Sequence, residues 1–120
     1  MAMVLDCSDQ PQWIITFTAP DGWTPQSITL RMILDTGADL TCIPRSRWPW
    51  SWPLGQAMPL MGINGIQMVP RSQSVLKATG TDDDGSPITA HVCPALTASP
   101  DGALGRDALT QMKIRLTNLI

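Results

Sequence analysis

The stretch Ser27-Ile28-Thr29-Leu30-Arg31-Met32-Ile33-Leu34-Asp35-Thr36-Gly37-Ala38-Asp39 decides how the chain is read. Its first part alternates polar and apolar residues and then turns fully apolar, as a strand does on entering a core. The run stops abruptly on a carboxylate, and a charge at the end of a core strand is costly unless it is paired or hydrogen-bonded. One explanation is a turn aspartate accepting backbone N–H bonds, an ordinary task for Asp near glycine. The other is a carboxylate held for acid–base chemistry. The small residues Thr36, Gly37 and Ala38 favour the second, because backbone and solvent can then approach Asp35 closely.

The surrounding chain reads as many short strands. Eleven prolines and nine glycines are scattered along it and cut it into short pieces, the pattern of an all-β domain. Trp13 to Thr18 is β-branched and aromatic, a strand, and Ala19-Pro20-Asp21-Gly22 is a turn. Asp39 to Pro44 resumes an extended apolar piece. Trp48-Pro49-Trp50-Ser51-Trp52-Pro53 is neither an ordinary helix nor a central strand, since its prolines forbid both. Leu60 to Met68 reads as a hairpin with Asn64 and Gly65 at its tip. Ser74 to Thr79 and Ile88 to Val92 read as paired strands around Asp82-Asp83-Asp84-Gly85. Arg106 to Lys113 is the one helix, with Asp107 near its N-terminus, and Ile114 to Thr117 closes the chain as a strand. A faint internal echo links Ile33-Leu34-Asp35 to Ala103-Leu104-Gly105, two apolar pairs running into a glycine turn, which predicts that the two pieces meet in space.

At 120 residues the chain is the size of one domain, and residues 1-120 are expected to form a single one. Only 15% of residues are charged and the net charge is −2. That argues against a nucleic-acid binder, which needs a basic face. No apolar run approaches the roughly 18 residues of a membrane span, and the start of the chain lacks the pattern of a signal peptide. Cys7, Cys42 and Cys93 are odd in number and widely spaced, which fits neither a disulfide framework nor a zinc site. The lone His91 leaves a metal site short of ligands. So no metal or cofactor is expected.

The string Ile33-Leu34-Asp35-Thr36-Gly37-Ala38-Asp39 resembles the active-site motif of the retroviral aspartic proteases, the retropepsins. The resemblance runs on through Gly62-Ile63-Asn64-Gly65, similar to the family's flap tip. Leu104-Gly105-Arg106-Asp107-Ala108-Leu109 is similar to the Gly-Arg-Asp/Asn segment that opens its C-terminal helix. Met1-Ala2-Met3, Trp48-Pro49, Trp52-Pro53 and Arg115-Leu116-Thr117-Asn118-Leu119 look most like the avian sarcoma–leukosis type. The motifs lie in order and cover nearly the whole chain.

The resemblance implies an all-β, closed-barrel-like fold with a flap hairpin, one short C-terminal helix and terminal strands in an intersubunit sheet. It also implies an aspartic endopeptidase that processes polyproteins. That chemistry needs two carboxylates sharing one proton, because like charges about 3 Å apart cannot both ionise. This chain has one such motif, since the segment at Gly105 lacks the matching Asp. A homodimer with Asp35 from each subunit is therefore implied. By resemblance, Asp35 is the catalytic residue and Thr36 locks the two active-site loops together. Gly37 leaves its carbonyl open to substrate. Ala38, Asp39, Gly62 and Ile63 line the peptide groove, and Asp39 forms a buried ion pair with Arg106. Many members carry Arg before the Pro of the first strand. Gln10 stands there, before Pro11, which implies one intersubunit ion pair fewer. The expected partners are a second copy and a peptide or polyprotein, with no nucleic acid and no membrane. The expected location is a virion or host cytoplasm, without secretion.

Other features have plainer readings. The tryptophans fit packing of a proline-rich surface loop better than stacking of single-stranded nucleic acid. Asp82-Asp83-Asp84-Gly85 fits a solvated turn better than a calcium loop, for it lacks the distal Glu. His91 and Cys93 fit a strand residue and a buried thiol better than a nucleophilic pair. Cys42 fits an inert, half-buried thiol. The rival function is a catalytically silent dimerising or peptide-binding module of the same fold.

Overall fold

A computed structural model describes residues 3–6, 12–62, 65–82 and 84–117. The strands are β1 (Met3–Asp6), β2 (Gln12–Thr18), β3 (Ser27–Leu34), β4 (Cys42–Pro44), β5 (Met58–Gly62), β6 (Gly65–Val69), β7 (Leu76–Thr81), β8 (Pro87–Val92), β9 (Ala95–Thr97), β10 (Gly102–Leu104) and β11 (Ile114–Thr117). A 3-10 turn covers Arg45–Arg47 and one helix, α1, covers Arg106–Met112. Seven strands form one sheet in the order β8-β7-β2-β3-β10-β4-β9, and β5 and β6 form a separate hairpin. The barrel-like architecture is thus present as a curled sheet, a half-barrel.

Alternation sets which face is inside. In β2, Ile15 and Phe17 are buried, and in β3 Leu30, Met32 and Leu34 are. β2 and β3 pair antiparallel with Ile15 opposite Leu30 and Phe17 opposite Ile28, so one face of both strands enters the core while Ile14 and Arg31 face out. Leu76, Ala78, Ala90 and Val92 add the inner face of β7 and β8, and Ala108, Leu109 and Met112 of α1 cover it. Complete burial of a side chain such as Phe17 stabilises by about 1.5–3 kcal/mol. Gly80 is small for a reason: a Cβ there would stand 2.5 Å from the Trp13 ring, whose indole N–H donates to the Thr81 carbonyl at 3.1 Å.

The tryptophan-rich loop is more than surface packing. Trp52 is the largest fully buried side chain. Its N–H donates to the Pro25 carbonyl at 2.7 Å, and Trp48 meets it edge-on with ring centroids 5.3 Å apart. Trp50 alone stays 94% exposed. The loop therefore supplies a plug to the core, which the prolines conceal in the sequence.

The Asp82 turn uses its own carboxylate: Oδ1 accepts from the N–H groups of Asp84 and Ser86 at 2.9 and 2.8 Å. Helix α1 is tied to β8 at two points. Gln111 Nε2 donates to the His91 carbonyl at 2.8 Å, and the His91 N–H donates to Gln111 Oε1 at 2.9 Å. His91 thus serves through its backbone. Cys93 donates its thiol to the Ser72 carbonyl at 2.9 Å. Lys113 ends α1 in the left-handed conformation, φ 56°.

At the chain ends, β1 and β11 pair with each other in parallel, Met3 opposite Ile114 and Asp6 opposite Thr117. They form a two-stranded sheet of their own. Gln10, Pro11, Ile63, Asn64, Asp83 and Asn118 to Ile120 lie outside the described residues, as do Met1, Ala2 and Cys7.

Candidate active site

The site is built where β3 runs out. β10 lies beside β3 in parallel, with Ala103 opposite Ile33 and Leu104 opposite Leu34. The two apolar pairs that echo each other in the sequence are neighbours in space. Just beyond them, the Asp35 N–H donates to the Leu104 carbonyl at 3.0 Å. Leu34 is buried, whereas the next residue, Asp35, is exposed within the single chain.

The loop after Asp35 is tightly self-bonded. Asp35 Oδ1 accepts the Gly37 N–H at 2.9 Å, and the Asp35 carbonyl accepts the Ala38 N–H at 3.2 Å. A Cβ on Gly37 would lie 3.2 Å from that carboxylate oxygen. Glycine here lets the N–H reach the carboxylate without crowding it. The bond fixes one carboxylate oxygen and leaves the other toward solvent.

The loop is then latched to the start of α1. The Ala38 carbonyl accepts the Arg106 N–H at 2.8 Å, and the Asp39 carbonyl accepts the Asp107 N–H at 3.3 Å. Gly105 passes so close that a Cβ would sit 2.6 Å from the Leu40 carbonyl carbon and 2.9 Å from the Ala38 oxygen. No other residue fits between the two segments. The Arg106 guanidinium pairs with the Asp39 carboxylate. Within the single chain this pair is exposed, 60% for Arg106 and 72% for Asp39, so any burial of it would have to come from a partner chain. Both side chains leave the loop outward, while their backbones make the latch.

The buried polar centre is instead Thr41 with Asp107, which sequence reasoning did not single out. Thr41 is fully buried. Its N–H and hydroxyl both donate to Asp107 Oδ1, at 3.0 and 2.8 Å. Its hydroxyl oxygen also accepts the Gly105 N–H at 3.3 Å. The available signal was a threonine inside the apolar run Leu40-Thr41-Cys42-Ile43, because a buried hydroxyl requires a partner. Beside it, the Cys42 thiol is pushed above its usual range, first by burial and then by the negative charges of Asp107 and Asp35. Both effects keep the thiol protonated and inert.

The hairpin carries the other expected site residues. Gly62 pairs with Gly65 across a two-residue tip, and Gly65 has φ 102°, which suits glycine in a tight hairpin turn. Ile63 lies outside the described residues. The structure thus brings Asp35, Thr36, Gly37, Ala38, Asp39 and Arg106 together at one crossing and places Gly62 on a separate hairpin. Among the described residues no group of His, Cys, Asp and Glu has the makings of a metal site.

A curled all-β chain with an Asp-Thr-Gly loop, latched to a glycine crossing at the head of a short helix, is consistent with the retropepsin fold. The family model described as "Retroviral aspartyl protease" matches residues 12–117, and the chain belongs to this family. It is 32% identical over its whole length to the Gag-Pol polyprotein of avian leukosis virus subgroup A, of which it spans 8%. It is 41% identical over 83 residues, 68% of the chain, to the Gag-Pro polyprotein of squirrel monkey retrovirus, again 8% of that protein. It is 34% identical over 86 residues, 71% of the chain, to the human endogenous retrovirus group K member 10 Pro protein, of which the match spans 53%. The chain therefore corresponds to a small part of the viral polyproteins it matches.

Proposed function

We propose that the chain is one protomer of a homodimeric aspartic endopeptidase that cleaves polyprotein substrates. The observation that carries this reading is the state of Asp35. It stands at the end of core strand β3, exposed in the chain, with one oxygen fixed by Gly37 and its loop latched through Leu104, Arg106 and Asp107. One such group cannot act as acid and base together, so two copies supply the pair.

In this mechanism the two Asp35 carboxyls share one proton and hold a water between them. The ionised Asp35 takes a proton from the water as its oxygen attacks the scissile carbonyl carbon. The protonated Asp35 gives its proton to the carbonyl oxygen, forming a gem-diol. Proton return to the amide nitrogen then lets the C–N bond break, releasing an acid and an amine. The water is the nucleophile, and no cofactor takes part. Thr36 braces the two loops against each other, and Gly37 offers its carbonyl to the substrate backbone. Ala38, Asp39, Gly62 and Ile63 line the groove, where the substrate lies as an extended strand. The Asp39–Arg106 pair flanks it. The domain acts within, or after release from, a viral polyprotein. The membership of the chain in its family and the viral polyproteins among its relatives support this.

Asp35→Asn tests the reading. It keeps the shape and the Gly37 bond but removes the shared proton, so the variant folds and dimerises while peptide cleavage falls at least roughly a thousandfold. A variant that keeps a tenth of the turnover would remove Asp35 from the chemistry. Wild-type protein that binds peptides without cutting them would make the chain a silent binding module.

A further inference from the structure

On the outer face of β3, a groove of about 380 Å³ opens beside the active-site strand, lined by Gln12, Arg31, Ile33, Arg47 and Asp101 among others. Its floor includes Gly102, where a Cβ would lie 2.5 Å from the Met32 sulfur. Glycine is required there by the core packing beneath the groove. Arg31, Arg47, Gln12 and Asp101 are all exposed along its rim.

The charges there are unbalanced. Arg106 is paired with Asp39, and Arg71 donates to the Cys93 carbonyl through Nε and a terminal nitrogen. Among the described residues, Arg31 and Arg47 make neither an ion pair nor a side-chain hydrogen bond. Two of the chain's eight basic residues thus line one groove with a single carboxylate, Asp101, that pairs with neither.

The position of the groove says what it would meet. Arg31 and Ile33 share the face of β3 opposite the buried Met32 and Leu34, and Asp35 follows two residues after Ile33. Four residues of strand span about 13 Å, which is also the reach of three to four residues of an extended peptide. We infer that this groove is an acidic-residue subsite, in which Arg31 and Arg47 select a glutamate or aspartate three to four residues from the scissile bond. Guanidinium groups suit this because their planar fork matches a carboxylate. Asp101 on the rim opposes the acidic residue and limits the preference. The inference rests on the protease reading above.

The test uses a pair of extended peptides with a non-cleavable central bond, differing only in Glu or Gln at those flanking positions. Wild-type protein binds the Glu peptide roughly fivefold to tenfold more tightly at low salt, the yield of two exposed guanidinium–carboxylate contacts, and the difference shrinks as salt is added. Arg31→Gln with Arg47→Gln abolishes the preference and leaves the affinity for the Gln peptide unchanged. Asp101→Asn widens it. Equal binding of the two peptides by the wild type, no binding of either, or a preference that survives in the double variant overturns the assignment. Cleavable versions of the same peptides separate the two ideas. Preference in binding with no cleavage overturns the protease reading and leaves the subsite standing. Cleavage with no preference does the reverse.

Discussion

Asp107 Oδ1 accepts two hydrogen bonds from Thr41, one from its N–H at 3.0 Å and one from its hydroxyl at 2.8 Å, across 66 residues of chain. The hydroxyl is in turn the acceptor for the Gly105 N–H at 3.3 Å. This chain of bonds joins the loop that carries Asp35 to the first turn of α1, so its integrity sets the position of the candidate catalytic carboxylate. Thr41→Val keeps the shape but leaves the Gly105 N–H and part of the Asp107 carboxylate unpaired. The expected loss is about 1–3 kcal/mol of stability, read as a lower urea midpoint at unchanged slope. Asp107→Asn keeps an acceptor oxygen and is the milder change. An unaltered midpoint in Thr41→Val would show that the latch resides in the backbone bonds alone.

Gly105→Ala should be the most damaging single methyl in the molecule. The added Cβ meets backbone atoms of Leu40 at 2.6 and 2.7 Å, and backbone cannot step aside as a side-chain tip can. Overpacking of this kind costs about 1–3 kcal/mol or more. The loop carrying Asp35 would also be displaced, so cleavage should fall further than stability alone accounts for. Gly37→Ala, at 3.2 Å from the Asp35 carboxylate, should fold normally. Thermal denaturation and peptide turnover on both variants check the contrast.

The Asp39–Arg106 pair should contribute little to the folding of one chain. With both partners more than half exposed, Arg106→Gln should change folding stability by less than about 1 kcal/mol. The change should shrink in high salt. Denaturation at two salt concentrations measures it, and a loss above about 2 kcal/mol would mean that the pair is shielded from water.

Cys42 makes a prediction about pH. Its thiol is raised by burial and by the charges of Asp107 and Asp35, so the folded state holds this proton more tightly than the unfolded chain does. The stabilisation is fully present below the unfolded thiol's pKa and is lost as pH rises through the folded value. In a Cys7→Ser, Cys93→Ser background, Cys42 should react with a thiol reagent far more slowly in native buffer than in urea. Adding Asp107→Asn removes one opposing charge and should speed the native reaction. Equal rates in buffer and urea would show an open thiol.

What the sequence makes legible follows the strength of local signals. β3 occupies Ser27–Leu34 as its alternation predicts, and the hairpin and α1 fall where the glycines and the Arg106–Lys113 segment place them. The three-residue strands β9 and β10 are too short for periodicity, and β10 exists because β3 supplies its parallel partner. The Trp52 plug is hidden by prolines that mark a loop but do not say which way the loop faces. At the site, Thr36, Gly37, Ala38, Asp39 and Arg106 lie with Asp35 at one crossing, whereas Gly62 lies on the separate hairpin and Ile63 lies outside the described residues. The Thr41–Asp107 bond was invisible because nothing local in either segment reports the other. Exposure of the Asp39–Arg106 pair likewise depends on how the loop leaves the crossing, which only the three-dimensional path decides.

The chain ends carry the last prediction. Among the described residues β1 and β11 pair only with each other, so removing β11 breaks no rung of the seven-stranded sheet. A two-stranded sheet is at best marginal by itself in water, and its unpaired edges are ready to take a further strand. A second copy of the same sheet can supply that strand, which would join the two chains and hold the two Asp35 loops in register. Deleting residues 114–120 should therefore leave β-sheet circular dichroism nearly intact while making the protein monomeric at micromolar concentration and inactive, although Asp35 is untouched. Sedimentation equilibrium and a peptide-cleavage assay on the same sample decide it. A truncated chain that stays dimeric and active would show that the two chains are fastened elsewhere, and a truncated chain that unfolds would show that β11 belongs to the fold of the single chain.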